Sequence, residues 1–264
     1  MKQKAYTNTP KPAGFFADLI TMTGRSVKAM TREPEYLIPS IIIPVFFFAV
    51  NVGSLGSLSE SAGTGSYLAF QLPVAIVLAV TGISRAIALV TDIQSGYFDR
   101  LLISPMNRFS LLLGLMAADF FLVLTLSILV VALGLILGVQ FATGLLGILV
   151  FLGFSSLWGL AFTGFAYAVA LKTGNSAAVS TSFLFFFPFS FLTTAYVPLE
   201  LLSGWLKTVA QLNPVTYLLD GLRSLITTGW DPEKILIMMG AIAFIWIISF
   251  GLAFGALIGR LQKR

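Results

Sequence analysis

The stretch from Phe109 to Gly138 contains a single ionisable side chain, Asp119, and the sequence on either side repeats this pattern. Long apolar runs alternate with short segments that hold most of the charge. A hydrocarbon core takes about 20 mainly apolar residues per helix, and within it every backbone polar group must be satisfied by the protein itself, which leaves helices or closed barrels. Long runs without strict alternation specify helices. Composition agrees: 57% of residues belong to the hydrophobic set and 10% are charged, against roughly a quarter charged in soluble domains, and mean hydropathy is +0.94. A soluble enzyme, a nucleic-acid module and a secreted scaffold are thereby excluded.

The runs predict an all-α integral membrane protein, a single domain over residues 1–264 with six spans. These are expected over about Leu37–Leu55, Ser66–Thr91, Phe109–Gly138, Phe141–Leu171, Ala177–Ala195 and Ile235–Gly259. The third and fourth are long enough to require tilt, a kink or extension into the interface. The spans make a core over 37–259, between a tail over 1–36 and a basic tail over 260–264. No apolar run of signal-peptide length precedes the first span. From Gly14 to Arg32, the polar residues Asp18, Thr21, Arg25, Lys28 and Arg32 recur at spacings of three and four, opposite Phe16, Ile20, Val27 and Met30. This is the pattern of a basic amphipathic helix lying in the headgroup layer.

Lys and Arg positions orient the spans, because cytoplasmic loops carry their excess. With both termini cytoplasmic, twelve of the 16 fall inside: Lys2, Lys4, Lys11, Arg25, Lys28, Arg32, Arg100, Arg108, Lys172, Arg260, Lys263 and Arg264. Lys207, Arg223 and Lys234 fall outside, and Arg85 lies within the second span. The net charge of +5 is therefore a topology signal for a multi-pass protein of the cell membrane and calls for no nucleic acid. The chain has neither Cys nor His, which removes thiolate and imidazole chemistry and the commonest metal ligands. Its 11 Asp and Glu are scattered, so no catalytic residue, metal site or bound cofactor is expected.

Several polar and aromatic groups stand out. Arg85 and Asp119 are costly at membrane depth; they fall on the cytoplasmic side of the midplane, either as an ion pair between neighbouring helices or with Arg85 snorkelling to the headgroups. A cation relay would need a third protonatable group. Phe183, Phe185, Phe186, Phe187, Phe189 and Phe191 crowd the fifth span around Pro188. They either face lipid and a partner chain, or, with Thr193 and Thr194, line an apolar route; Phe183, Phe186, Phe187, Thr193 and Thr194 are the candidate lining residues. The last outer loop, Tyr196 to Lys234, reads as short helices over Val197–Leu202, Trp205–Val209 and Tyr217–Ile226, divided by Gly204 and Asn213-Pro214. It forms a re-entrant hairpin or rests on the headgroups. Asp220 and Arg223 stand at i and i+3, the spacing of a local salt bridge.

Two segments carry a family resemblance. The loop after the second span runs Asp92-Ile-Gln-Ser-Gly96-Tyr97-Phe98-Asp99-Arg100-Leu101-Leu102-Ile-Ser104-Pro105-Met-Asn-Arg108, and the outer loop carries Tyr196-Val197-Pro198, Trp205-Leu206, Asn213-Pro214, Thr216-Tyr217, Asp220 and Arg223. Both resemble ABC type-2 exporter permeases, most closely the daunorubicin-resistance type of drug-efflux subunit. The order of features, from the amphipathic helix to the last span, is similar over nearly the whole chain. Ser95 and Tyr97 flank Gly96 where the family usually carries Glu and Thr, and Ser203-Gly204 stands where a Pro is common.

The resemblance implies the permease subunit of an exporter that moves an amphiphilic drug or lipid-like substrate outward. It also implies a dimer with a second copy or a paralogue, and two ATP-binding subunits that hold the ATP and Mg. No Gly-Lys dipeptide occurs in this chain, so no Walker A loop is present. Asp92, Gly96, Tyr97, Phe98, Asp99, Arg100, Leu101 and Leu102 are then the coupling segment, with Tyr97, Phe98, Leu101 and Leu102 expected to enter a cleft of the ATPase. Pro198, Asn213, Pro214, Asp220 and Arg223 belong to an outer hairpin that gates the exit. Export of a lipid-linked glycan is the alternative within transport. A membrane-embedded lipid-modifying enzyme is the alternative outside it, and would need an interfacial cluster of acids, His or Cys.

Overall fold

The computed structural model describes residues 14–30, 42, 44–54, 66–81 and 84–262. Among these residues every regular element is helical. In chain order they are α1 (Phe15–Met30), α2 (Pro44–Ser54), α3 (Tyr67–Val80), α4 (Ala86–Gln94), α5 (Tyr97–Ile103), α6 (Arg108–Ile136), α7 (Gly144–Thr173) and α8 (Ser176–Phe191). A 3-10 turn (Leu199–Leu201), α9 (Gly204–Leu212), α10 (Pro214–Thr227) and α11 (Pro232–Gln262) follow. The opening residues of the first expected span, apart from Ile42, lie outside the described residues, as do Lys2, Lys4, Lys11, Arg32, Lys263 and Arg264 in the basic segments.

Among the described residues three helices, α6, α7 and α11, are long and apolar enough to cross a membrane, while α2, α3 and α8 are shorter apolar helices. The long ones have 29, 30 and 31 residues, roughly 45 Å at 1.5 Å per residue. They outreach a hydrocarbon core of about 30 Å and so must tilt or project beyond it. The second expected span is not one helix. It ends as α3 at Val80 and restarts as α4 at Ala86, a discontinuity that a continuous apolar run does not announce.

The helix α7 is the centre of the bundle, packed by α3, α4, α6, α8, α10 and α11. Its approach to α11 depends on a missing side chain: a Cβ on Gly164 would stand 2.7 Å from the backbone of Ser249, the close contact that small residues permit between membrane helices. Two apolar clusters result. One, toward the α9–α10 end, gathers Val80, Val123, Trp158, Leu218 and Leu222. The other, toward the α4–α5 end, gathers Met22, Ala86, Phe98, Met116 and Leu171. These are the outer and inner ends of the expected topology, and the seam between the clusters falls at the α3–α4 break.

The amphipathic helix α1 is present, lying along α6. Asp18, Met22 and Ser26, one residue every four, form its buried face. Phe16 and Ile20 remain 74% and 70% exposed. A soluble helix would turn its apolar stripe to the core; here Phe16 and Ile20 of that stripe stay exposed. The contact is close because Gly114 of α6 leaves room for Met22, whose Cβ would be 2.6 Å from a Cβ at that glycine.

Candidate functional site

The α4–α5 elbow is built from backbone upward. Gly96 adopts φ 72, the left-handed region, which costs a non-glycine residue free energy, and this turn sends α5 off at a new angle. Phe98 and Leu102, at i and i+4, are 0% and 7% exposed in the inner cluster. The expectation that they enter a partner's cleft is therefore corrected: this chain's own core already covers them. What the elbow presents outward is Arg100 and Ile103, the latter 83% exposed, with Tyr97 at its corner. Gly96, Asp99 and Leu101 are partly buried.

Helix α1 braces this elbow. The Arg25 guanidinium donates to the Asp92 carboxylate at 3.2 Å and lies 4.3 Å above the Tyr97 ring, so one side chain holds both arms. Farther along α1, buried Asp18 accepts the Asn107 N–H at 3.0 Å, where Asn107 caps α6. The elbow end of α4 is also tied by Gln94, which donates to the Gly174 carbonyl between α7 and α8 at 3.0 Å.

At the α3–α4 break, Asp119 of α6 is 0% exposed. Its carboxylate accepts the Ser84 hydroxyl at 2.9 Å and the Arg85 backbone N–H at 3.1 Å. It thus sits at the N-terminus of α4, where unpaired N–H groups and the helix dipole favour an anion. Arg85 and Asp119 are brought together as neighbours, with one contact running through the Arg85 backbone. Across the break, Trp158 donates its indole N–H to Thr81 at 3.2 Å.

At the opposite end, Arg223 of α10 is 7% exposed. It donates to the Phe70 carbonyl at 3.2 Å, to the Thr194 hydroxyl at 3.1 Å and to the Thr194 carbonyl at 2.8 Å. Its guanidinium also lies 3.5 Å over the Phe70 ring, a cation–π contact strengthened by desolvation. The i, i+3 contact with Asp220 exists at 3.7 Å, yet it is the weaker part of the arrangement. Burial lowers the Arg223 guanidinium to about 10, opposed by Asp220 and Tyr67, so it is cationic at neutral pH. Burial raises the Asp220 carboxyl, opposed by Arg223 and Lys234. Beside this cluster Gln71 donates to Tyr67 and to the Ala195 carbonyl.

The bend before α10 is capped from both sides. The Asn213 amide donates to the Phe189 and Leu192 carbonyls at the end of α8, at 2.8 and 2.9 Å, while its oxygen accepts the Val215 N–H. Pro214 occupies the first helical position, where its missing N–H costs nothing. The far end of α10 bonds to the loop between α6 and α7 through Thr143 and the Leu225 carbonyl at 2.7 Å. Pro198 begins the 3-10 turn.

The five candidate lining residues are dispersed. Phe186 packs against Phe162 and Phe165 of α7, Phe183 against the inner cluster, and Phe187 is exposed against Phe191. Thr193 and Thr194 are buried with their hydroxyls committed to Ser190, Ala195 and Arg223. In this structure both hydroxyls serve contacts within the chain. Sequence reasoning missed the partners of the charges: Phe70 and Tyr67 for Arg223, Ser84 for Asp119, Asp92 and Tyr97 for Arg25. All of them lie outside any local spacing rule, because they come from segments distant in sequence.

The chain matches the ABC-2 type transporter family over residues 17–227. It is similar to the probable doxorubicin resistance ABC transporter permease protein DrrC of Mycobacterium tuberculosis (strain ATCC 25618 / H37Rv), 27% identical over 81% of this chain and 79% of that protein. It is also similar to the daunorubicin resistance ABC transporter permease protein DrrB1 of Streptomyces coeruleorubidus, 27% identical over 86% and 82%. The putative transport permease ycf38 of Cyanophora paradoxa is 27% identical over 80% and 74%. Match, braced elbow and capped outer bend lead to one conclusion, that this chain belongs to the ABC-2 type transporter family.

Proposed function

We propose that this chain is the transmembrane permease subunit of an ATP-driven exporter that moves an amphiphilic, drug-like or lipid-like substrate out of the cell. ATP is hydrolysed with Mg on separate ATP-binding subunits, two of which serve a permease dimer of this chain with itself or a paralogue. Six segments cross the cell membrane: α2, α3 continued by α4, α6, α7, α8 and α11. Both termini are cytoplasmic, and the 3-10 turn, α9 and α10 form a hairpin that closes the outer end. The amphiphilic substrate rests on relatives named for doxorubicin and daunorubicin resistance.

One observation carries the proposal: the α4–α5 elbow is rooted in the bundle by Phe98 and Leu102 and braced by Arg25, yet offers Arg100 and Ile103 to solvent. A push on the exposed side of α5 reaches α4, and through it the Asp119 break. Tagged protein from native membranes in mild detergent brings down a Walker A-containing ATPase. Arg100→Glu with Ile103→Ser lowers that recovery about ten-fold, corresponding to 1.4 kcal/mol of docking energy. No ATPase with the native chain, or undiminished recovery with the double variant, overturns the reading.

A further inference from the structure

A groove between the C-terminal ends of α7 and α11 takes no part in the contacts described above. It holds about 450 Å³ and is walled by Leu171 and Lys172 of α7 and by Gly251, Gly255, Gly259 and Arg260 of α11. The three glycines recur every four residues and so share a face of α11, with open space where each Cβ would stand. They cover about 12 Å of helix at 1.5 Å per residue. The close α7–α11 contact is made elsewhere, at Gly164 and Ser249.

Two cations stand at the end of this apolar slot, and no acidic residue lines it. Arg260 donates one terminal nitrogen to the Leu171 carbonyl at 3.0 Å, which draws its guanidinium across from α11 to α7. Its Nε is buried without a hydrogen-bond partner among the described residues. Lys172, next to Leu171, is exposed. Both cations close long apolar helices, the level at which a span meets headgroups.

We propose that this groove binds one anionic phospholipid. Its phosphate pairs with the Lys172 ammonium and the Arg260 guanidinium, and one acyl chain lies along Gly251, Gly255 and Gly259. Charge selects the occupant: basic recesses between membrane helices at the cytoplasmic side suit acidic headgroups. A zwitterionic headgroup would bring its own cation against Lys172, and a plain apolar helix would leave both cations without an anion. The inference goes beyond the permease reading and needs neither ATPase nor transport.

The test is native mass spectrometry of the full-length chain in mild detergent, with phosphatidylglycerol or phosphatidylcholine of identical acyl chains added. The native protein retains one phosphatidylglycerol, preferred about ten-fold over phosphatidylcholine. Lys172→Gln, at an exposed position outside the core, lowers that preference by itself, and Gly255→Leu abolishes retention of either lipid. Equal retention of the two lipids, or retention unchanged in both variants, overturns the proposal. The chain has no cysteine, so Gly255→Cys supplies a clean second measurement. Disulfide-linked dimers in oxidised native membranes would mean that a second copy covers the groove, and would also overturn the proposal; a monomeric product supports it.

Discussion

Asp119 and Arg223 are buried charges of opposite sign near opposite ends of the bundle, and backbone at a chain discontinuity satisfies both. Asp119 takes an N–H and a hydroxyl where α4 begins; Arg223 gives to carbonyls of the first turn of α3 and of the segment after α8. The difference lies in reach. Asp119 accepts from Ser84 and Arg85, two adjacent residues, and so stabilises one break. Arg223, on α10, joins two segments far apart in sequence, and so fastens the whole outer hairpin to the bundle. A charge inside a membrane protein is expensive unless paired or coordinated, and here the expense is offset by holding helices that are interrupted.

The comparison is broken most directly at Arg223. Arg223→Met strands the Thr194 and Phe70 carbonyls and destabilises the protein by about 3 kcal/mol, read as loss of the folded state during denaturation in detergent. Arg223→Lys recovers less than half, since an ammonium lacks the guanidinium fork. A Met variant as stable as the native chain would deny the fastening role. At the other end, Asp119→Asn costs about 2 kcal/mol, because one donor at the α4 N-terminus loses a charged acceptor. Combining it with Arg85→Gln costs less than Asp119→Asn alone, as the Arg85 cation acts on the carboxylate; a double variant worse than the sum would place the coupling elsewhere. The smallest effect on stability belongs to Arg25→Gln. The pair with Asp92 is partly exposed, a setting worth about 0.5 kcal/mol, so its signature is faster hydrogen exchange of the α5 amides with global stability nearly unchanged.

Much of this architecture was legible beforehand. The long helices α6, α7 and α11 follow from apolar length alone, and the division between α9 and α10 from Asn213-Pro214. The amphipathic α1 follows from its three-and-four spacing. What spacing did not reveal is which face turns inward: Asp18, Met22 and Ser26 are buried while Phe16 and Ile20 are exposed, the reverse of the order a soluble amphipathic helix takes. The second span read as one helix because hydropathy sums side chains and is blind to a backbone break whose acceptor, Asp119, is supplied by another helix. Phe98 and Leu102 read as a docking pair for the same kind of reason. Exposed and buried apolar residues have one hydropathy, and only neighbours tell them apart.

The sequence by itself determined the solvent, the helical class and the positions of most helix ends, since these depend on the transfer free energy of side chains and on local capping. Tertiary structure alone decided which polar groups meet. The acceptors of Arg223, the donors to Asp119 and the two arms held by Arg25 come from segments between 29 and 153 residues away. No local rule reaches that far, because a buried polar group is satisfied by whatever backbone the packing of whole helices brings to it.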